Sequence, residues 1–274
     1  MIVTLPLVHA SVDTGQTLAY DRVGDSDLSA VVLLHGLSGS RLAYRSVVGE
    51  IADDVWNVDQ RGHGESTRAT LDTYDAASYA SDIAALIESE VGRPATVVGH
   101  SLGGVVAVAL AQARPDLVTA LFLEDPPLYE GDDARRAASP TAKFFPALVA
   151  AVRERQARGA GADDYRSLVV ETAPDEVEVR CQSLLLWDPT TMDAAIEGIV
   201  WRGFDPDAPL RCPITIVRAD SKVGAVFTPD DAERFAKGNP HARMYEVEGA
   251  THTVHASPTL ATYLTHLTTF LSER

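Results

Sequence analysis

The sequence predicts an α/β protein: a mostly parallel central sheet with helices on both faces and an inserted helical lid. Three observations predict it. Short, fully apolar runs such as Ala30-Val31-Val32-Leu33-Leu34 recur between helical patterns, the mark of strands covered on both sides. One such run, Thr96-Val97-Val98, enters a Gly-x-Ser-x-Gly turn, Gly99-His100-Ser101-Leu102-Gly103, and an alanine-rich helical pattern leaves it. From Pro126 to about Asp207 no strong strand pattern appears, and four helical segments take its place. Strand–helix alternation interrupted by helices alone reads as one sheet domain, 1–126 with 207–274, carrying a helical lid at 127–206.

The elements follow in order. Val8–Val12 and Thr17–Asp21 flank Asp13-Thr14-Gly15 and predict an opening hairpin. After the Ala30–Leu34 strand a helix is expected over Arg41–Ala52, then a strand at Val55–Val58 and a helix over Tyr74–Glu90. A strand at Ala95–Val98, the helix Val105–Ala113 and a strand at Ala120–Leu123 complete the first part. The lid helices are expected at Pro140–Ala157, Ala162–Thr172, Pro174–Leu185 and Thr190–Trp201. The alternating pattern resumes with a strand at Pro213–Val217, a helix at Pro229–Lys237, a strand at Arg243–Val247 and a helix at Pro258–Leu271.

Bulk properties narrow the function classes. The 274 residues are enough for one large domain with an insertion, and 46% hydrophobic with 23% charged residues is ordinary globular usage. There are 23 basic against 39 acidic residues, a formal charge of −16, dispersed along the chain. Long-range repulsion disfavours nucleic acid or an anionic membrane as a partner, and a small-molecule substrate is expected instead. The segment Met1-Ile2-Val3-Thr4-Leu5-Pro6 has no basic n-region, and no window holds 18 uninterrupted apolar residues. A cytoplasmic address is the expectation. Cys181 and Cys212 lie outside any C-x-x-C or nucleophile context and are expected to be buried thiols.

The serine corner is where chemistry concentrates. A strand–turn–helix corner lifts its serine hydroxyl clear of the sheet edge, and glycines two residues either side let backbone pack on backbone. A serine nucleophile needs a base, and the base an orienting acid. In open parallel sheets such groups collect at the carboxyl ends of strands. His252 follows the strand ending at Val247, with His255 as its rival for the base. Asp220 follows the strand ending at Val217 and is the preferred acid; Asp125, after Leu121-Phe122-Leu123-Glu124, is the alternative. Asp230 and Asp231 open a helix and read as caps. The histidines lack metal-ligand spacing, and neither a G-x-x-x-x-G-K-[ST] loop nor a G-x-G-x-x-G follows a first strand, so no metal and no cofactor are expected.

Five segments together, His35-Gly36-Leu37, Asp59-Gln60-Arg61-Gly62-His63-Gly64-Glu65-Ser66, Gly99-His100-Ser101-Leu102-Gly103-Gly104, Asp220 and Gly249-Ala250-Thr251-His252, resemble the α/β-hydrolase fold family over nearly the full length. The resemblance implies Ser101 as nucleophile, His252 as general base and then acid, and Asp220 as the group holding the imidazole tautomer. Some members take the acid from the position of Asp125. It also implies an oxyanion hole from the amides of Leu37 and Leu102, with His35 shaping that loop, His63 and Arg61 bracing the loop beside it, and His100 packed behind the elbow.

These roles point to an ester or lactone hydrolase working through an acyl-enzyme on Ser101. The same groups could serve carbon–carbon or amide hydrolysis, perhydrolysis or acyl transfer. Epoxide and haloalkane hydrolysis are disfavoured, since those relatives carry aspartate in place of Ser101. A non-catalytic ligand receptor on this fold is the remaining alternative. Tyr129, Phe144, Phe145, Trp187, Met192 and Trp201 populate the lid. Most are expected in its core, while one or two of Tyr129, Phe144, Trp187 and Trp201 line an apolar pocket for a small or medium hydrophobic substrate. Oligomeric state is not legible.

Overall fold

A computed structural model describes residues 6–139, 141–170 and 173–274. The reading of the first five residues, and the expected ends of lid helices at Pro140 and Thr172, fall outside them. Eight strands form one sheet: β1 (Leu7–Ser11), β2 (Thr17–Val23), β3 (Ala30–Leu34), β4 (Asp54–Asp59), β5 (Ala95–His100), β6 (Val118–Glu124), β7 (Ile214–Arg218) and β8 (Arg243–Glu246). Their spatial order is β1-β2-β4-β3-β5-β6-β7-β8. The β1–β2 and β2–β4 pairs are antiparallel, and every later pair is parallel. All residues of β3, β4 and β5 are buried, which explains the unbroken apolar run of β3; in β4 the buried Asp54, Asn57 and Asp59 are hydrogen-bonded.

The sheet domain's helices are α1 (Ala76–Leu86), α2 (Leu102–Ala113), α7 (Pro229–Gly238) and α8 (Leu260–Glu273). Between β6 and β7 lie α3 (Asp133–Ala138), α4 (Thr141–Ala157), α5 (Pro174–Leu186) and α6 (Thr190–Ile196). Among the described residues of this insert, Leu128, Leu148, Val152, Tyr165, Leu184, Trp187 and Met192 belong to one apolar cluster with Leu34, Val58 and Leu102 of the sheet domain.

Three expected helices differ. In place of Arg41–Ala52 there are two short 3₁₀ turns, Arg41–Tyr44 and Val48–Glu50. The Arg41 backbone is captured by strand β4, its amide donating to Asp59 Oδ1 (2.6 Å) and its carbonyl accepting from Asn57 Nδ2 (2.9 Å). Those bonds compete with the i→i+4 ladder. Within 162–172 the described helix is a 3₁₀ turn, Ala162–Leu168. The helix expected over Thr190–Trp201 stops at Ile196, because Gly198 turns left-handed at φ 76° before a short 3₁₀ turn at Ile199–Trp201. Helix α3 carried no hydrophobic periodicity and was not expected; an Asp132 side chain capping the Arg135 amide starts it. Among the described residues no helix is long and apolar enough to cross a membrane. Cys181 is buried; Cys212 is half-buried, its thiol pushed up to about 11 by burial.

Candidate active site

Strand β5 ends at His100, and Ser101 sits between it and α2 at φ 51°, ψ −114°. A non-glycine residue there is strained by about 1–3 kcal/mol. The corner tolerates it because the chain is pinned on both sides. The Ser101 amide donates to the Glu124 carbonyl (2.9 Å), and the Ser101 carbonyl accepts from the Gly104 amide (2.9 Å). A side chain on Gly103 would strike the Leu34 carbonyl oxygen, and one on Gly104 would come within 2.7 Å of Pro126 Cβ. This close packing is the physical reason for the glycine pattern.

Two successive carboxylates close β6, and each takes a histidine. Asp125 Oδ2 lies 2.7 Å from His252 Nδ1. Asp125 is fully buried, at φ 41°, and its carboxylate also accepts from the amides of Ala219, Val226 and Phe227 (3.4, 3.0 and 3.2 Å). The preference for Asp220 is therefore corrected. Its carboxylate accepts from the amides of Lys222 (2.8 Å) and Gly249 (2.9 Å), while its own amide donates to the Ala250 carbonyl (3.0 Å). Asp220 staples the end of β7 to the loop after β8, and those backbone donors hold its carboxyl below the usual range. The alternative, Asp125, is the carboxylate on His252.

His255, the rival for the base, instead pairs with Glu124 at 2.7 Å in a fully enclosed site and stacks on Tyr44 (ring centroids 4.7 Å apart). Burial alone would raise Glu124; the His255 ring and amide outweigh it and bring the carboxyl down to about 2. Glu124 had no place in the sequence reading, although its position next to Asp125 was the available signal. The Glu124–His255 and Asp125–His252 pairs anchor the same loop to the same strand end.

His100 is buried behind the elbow as expected, with Nε2 3.0 Å from the His252 carbonyl oxygen and its ring 4.8 Å from that of His252. The imidazole of His252 is about one-third exposed and Ser101 is buried; His100 joins the elbow to the histidine at one rim of the sheet. Among the described residues no hydrogen bond joins the Ser101 hydroxyl to His252. Such bonds often close only when substrate is bound.

The loop after β3 is held from below. His35 Nδ1 contacts the Gly36 carbonyl (2.8 Å), which also accepts from the Gly39 amide (3.0 Å). The Gln60 amide donates to His35 Nε2 (3.1 Å), and the Ser38 amide to His63 Nε2 (3.2 Å). With the Gly36 carbonyl tied back, the Leu37 N–H of that same peptide points the opposite way. A side chain on Gly36 would come within 3.2 Å of Ser101 Cβ, so this peptide lies beside the serine. Neither the Leu37 nor the Leu102 amide donates to a protein acceptor among the described residues.

Of the four lid aromatics among which one or two pocket residues are expected, three are packed against protein and one is exposed. Trp187 is wholly buried, with its indole N–H on Thr191 Oγ1 (2.6 Å). Trp201 donates to the Pro127 carbonyl (2.6 Å). Tyr129 is buried beneath the Arg234 guanidinium, which lies 4.2 Å above its ring. Phe144 is 51% exposed. A groove of about 790 Å³ is lined by Thr14, Gln16, Arg61, Arg68 and Ser78 among others and shares no residue with the Ser101 rim. Arg61 braces its loop as expected, bound to Asp82 through two nitrogens (2.5 and 2.6 Å). Among the described residues no cluster of His, Cys, Asp and Glu could hold a metal ion.

The buried histidines give a pH prediction. Burial lowers His35, lowers His63 well below the usual range, and takes His100 down to about 3. An unfolded chain takes up protons at these rings below about pH 6.5, while the folded chain does not, so folding weakens on acidification at ~1.4 kcal/mol per pH unit for each ring. Depressed Glu124 acts in the same direction at lower pH. Melting temperature should fall steadily from pH 7 to pH 4.5; a constant value over that range would contradict neutral buried rings.

Comparison with known proteins adds three findings. A model described as "Alpha/beta hydrolase family" matches residues 31–262. The chain is similar to the sn-1-specific diacylglycerol lipase ABHD11 of Mus musculus, 39% identical over 106 residues, and to Lipase LipV of Mycobacterium tuberculosis, 38% identical over 110 residues. The matches cover 37% and 40% of this chain, which spans only 34% and 41% of those relatives' lengths. In fold it is similar to an aryl esterase described as putative from Burkholderia cenocepacia, with TM-score 0.79 and 20% identity over 97% of this chain and 98% of the other.

Proposed function

We propose that this chain, which belongs to the alpha/beta hydrolase family, is a serine hydrolase of small or medium hydrophobic carboxylic esters or lactones. The observations that carry the reading are a strained Ser101 at the end of β5 and a His252, paired at 2.7 Å with buried Asp125, whose ring lies 4.8 Å from that of the neighbouring His100 at the same rim of the sheet. Relatives named as lipases support the ester class.

Ser101 Oγ attacks the substrate carbonyl carbon while its proton passes to His252 Nε2. Asp125, bound at Nδ1, fixes the tautomer that leaves Nε2 able to accept, and it stabilises the imidazolium that forms. The amides of Leu37 and Leu102 receive the oxyanion. Each such donor is worth about 3–4 kcal/mol, and the Leu102 amide also sits at the positive end of α2. The tetrahedral intermediate collapses, the alcohol leaves with the proton from His252, and an acyl group remains on Ser101. Water, deprotonated by the same imidazole, then releases the acid. Residues 127–206 act as a cap over this rim.

Labelling with a fluorophosphonate tests the reading. Modification should fall on the Ser101 peptide and be slowed by a competing p-nitrophenyl ester, and unlabelled enzyme mixed with that ester should release a burst of nitrophenol that labelled enzyme lacks. An unmodified Ser101, with no turnover across a panel of esters and lactones, would overturn it.

A further inference from the structure

We propose that Arg180, on the inserted helix α5, is a positioning residue that holds the Leu37–Ser38 turn in its oxyanion-binding shape, so that seating of the insert and competence of the site are one event. The proposal rests on the reading of Leu37 as an oxyanion donor. It starts from Ser38, which is 3% exposed and adopts φ 60°. That is the third position of a tight turn closed by the Gly39 amide on the Gly36 carbonyl. A left-handed residue at that position suits glycine, and serine adopts it at a cost of about 1 kcal/mol.

Something must hold the strained peptide. Below it, the Ser38 amide is tied to His63 Nε2. Above it, Arg180 grips the same residue twice, one guanidinium nitrogen donating to the Ser38 carbonyl (2.5 Å) and another to its hydroxyl (2.8 Å). The fork is planar and rigid, so two bonds set an orientation as well as a distance. A second link from the same helix lies close by, with Ser183 Oγ 2.8 Å from Ser40 Oγ in a buried contact. Helix α5 also reaches the loop bearing His252, where the Ser257 amide donates to Glu176 Oε1 (2.9 Å). One inserted helix therefore touches both segments on which the proposed chemistry depends. Without Arg180 the turn can relax by rotating the Leu37–Ser38 peptide, which swings the Leu37 amide away from Ser101.

The test separates positioning from other roles by repairing the strain. R180A should lower kcat on a p-nitrophenyl ester by about 10–100-fold, part of the loss expected for one oxyanion donor, with KM changed less than about threefold. S38G accepts the left-handed turn unaided. The R180A change introduced on an S38G background should therefore cost at least about fivefold less in kcat than on the wild-type background. Hydrogen–deuterium exchange of the peptide spanning 35–41 gives a readout independent of turnover. It should rise in R180A and return toward wild type in the double variant. An arginine that binds substrate would raise KM, and one that only stabilises the insert would loosen α5; S38G would rescue neither. Either pattern, or unchanged exchange at 35–41 in R180A, overturns the proposal. If wild-type protein takes no fluorophosphonate, the serine hydrolase reading fails separately, and the exchange data still decide whether Arg180 holds the turn.

Discussion

Ser101→Ala should lower turnover of a p-nitrophenyl ester by at least ~10⁴-fold while leaving the melting temperature within a few degrees of wild type. The expectation has two parts with different causes. The loss of rate follows from removing the only atom proposed to form the acyl bond; the remaining amides and pocket could still bind substrate and polarise it, which sets the floor. The preserved fold follows from the bonds that build the corner. The Ser101 amide and carbonyl, bound to the Glu124 carbonyl and the Gly104 amide, are retained in alanine, and no glycine is lost from the packed elbow. Paired measurements of kcat/KM and thermal melting check both parts. A variant that keeps activity within tenfold would remove Ser101 from the mechanism, whatever its stability.

Asp125→Asn should cost ~10⁴-fold in kcat, and Asp220→Asn less than about tenfold. An amide at position 125 can no longer anchor an N–H at His252 Nδ1 as a carboxylate does. If its nitrogen faces the ring, the tautomer is reversed and Nε2 can no longer take a proton. It also leaves three backbone amides, those of Ala219, Val226 and Phe227, with a weaker acceptor, so some loss of stability should accompany the loss of rate. Asp220 touches neither imidazole nitrogen, and its two amide bonds to Lys222 and Gly249 are structural. Its lowered carboxyl pKa means that its support is present at neutral pH and is lost on acidification through that low value. Steady-state kinetics of the two variants, with urea midpoints alongside, discriminate the assignments. The reverse ranking would return the acid role to Asp220.

The fate of these two aspartates shows how far the chain could be read. The strand at Ala30–Leu34 was plain from its unbroken apolar run, and the elbow from its two glycines around Ser101. Both are local properties. Which carboxylate meets His252 depends on the route of residues 219–227, where the amides of Ala219, Val226 and Phe227 converge on Asp125 while that of Lys222 goes to Asp220. Backbone donors leave no mark in residue type, so nothing in the sequence corrected the preference for Asp220. The Arg41–Ala52 helix failed for a related reason: Asn57 and Asp59, on a strand that had been recognised, take the Arg41 carbonyl and amide. The lid aromatics were legible as side chains packed against the main domain, but not which of them, Phe144, stays exposed. Arg180 carried no signal at all, because its partners are a main-chain carbonyl and a serine 142 positions away.

The apolar cluster that the insert shares with the sheet limits how this protein can be re-engineered. Excising residues 127–206 to widen access would not yield a more open catalyst. It would delete Trp187, Leu184 and Met192 from the apolar cluster they share with Leu34, Val58 and Leu102. The uncovered surface would be a broad oily face prone to self-association. Transplanting an insert from a relative meets the same obstacle, since its underside would have to fit the floor it lands on. Altered selectivity is better sought by point changes on the rim than by trimming or exchanging whole segments.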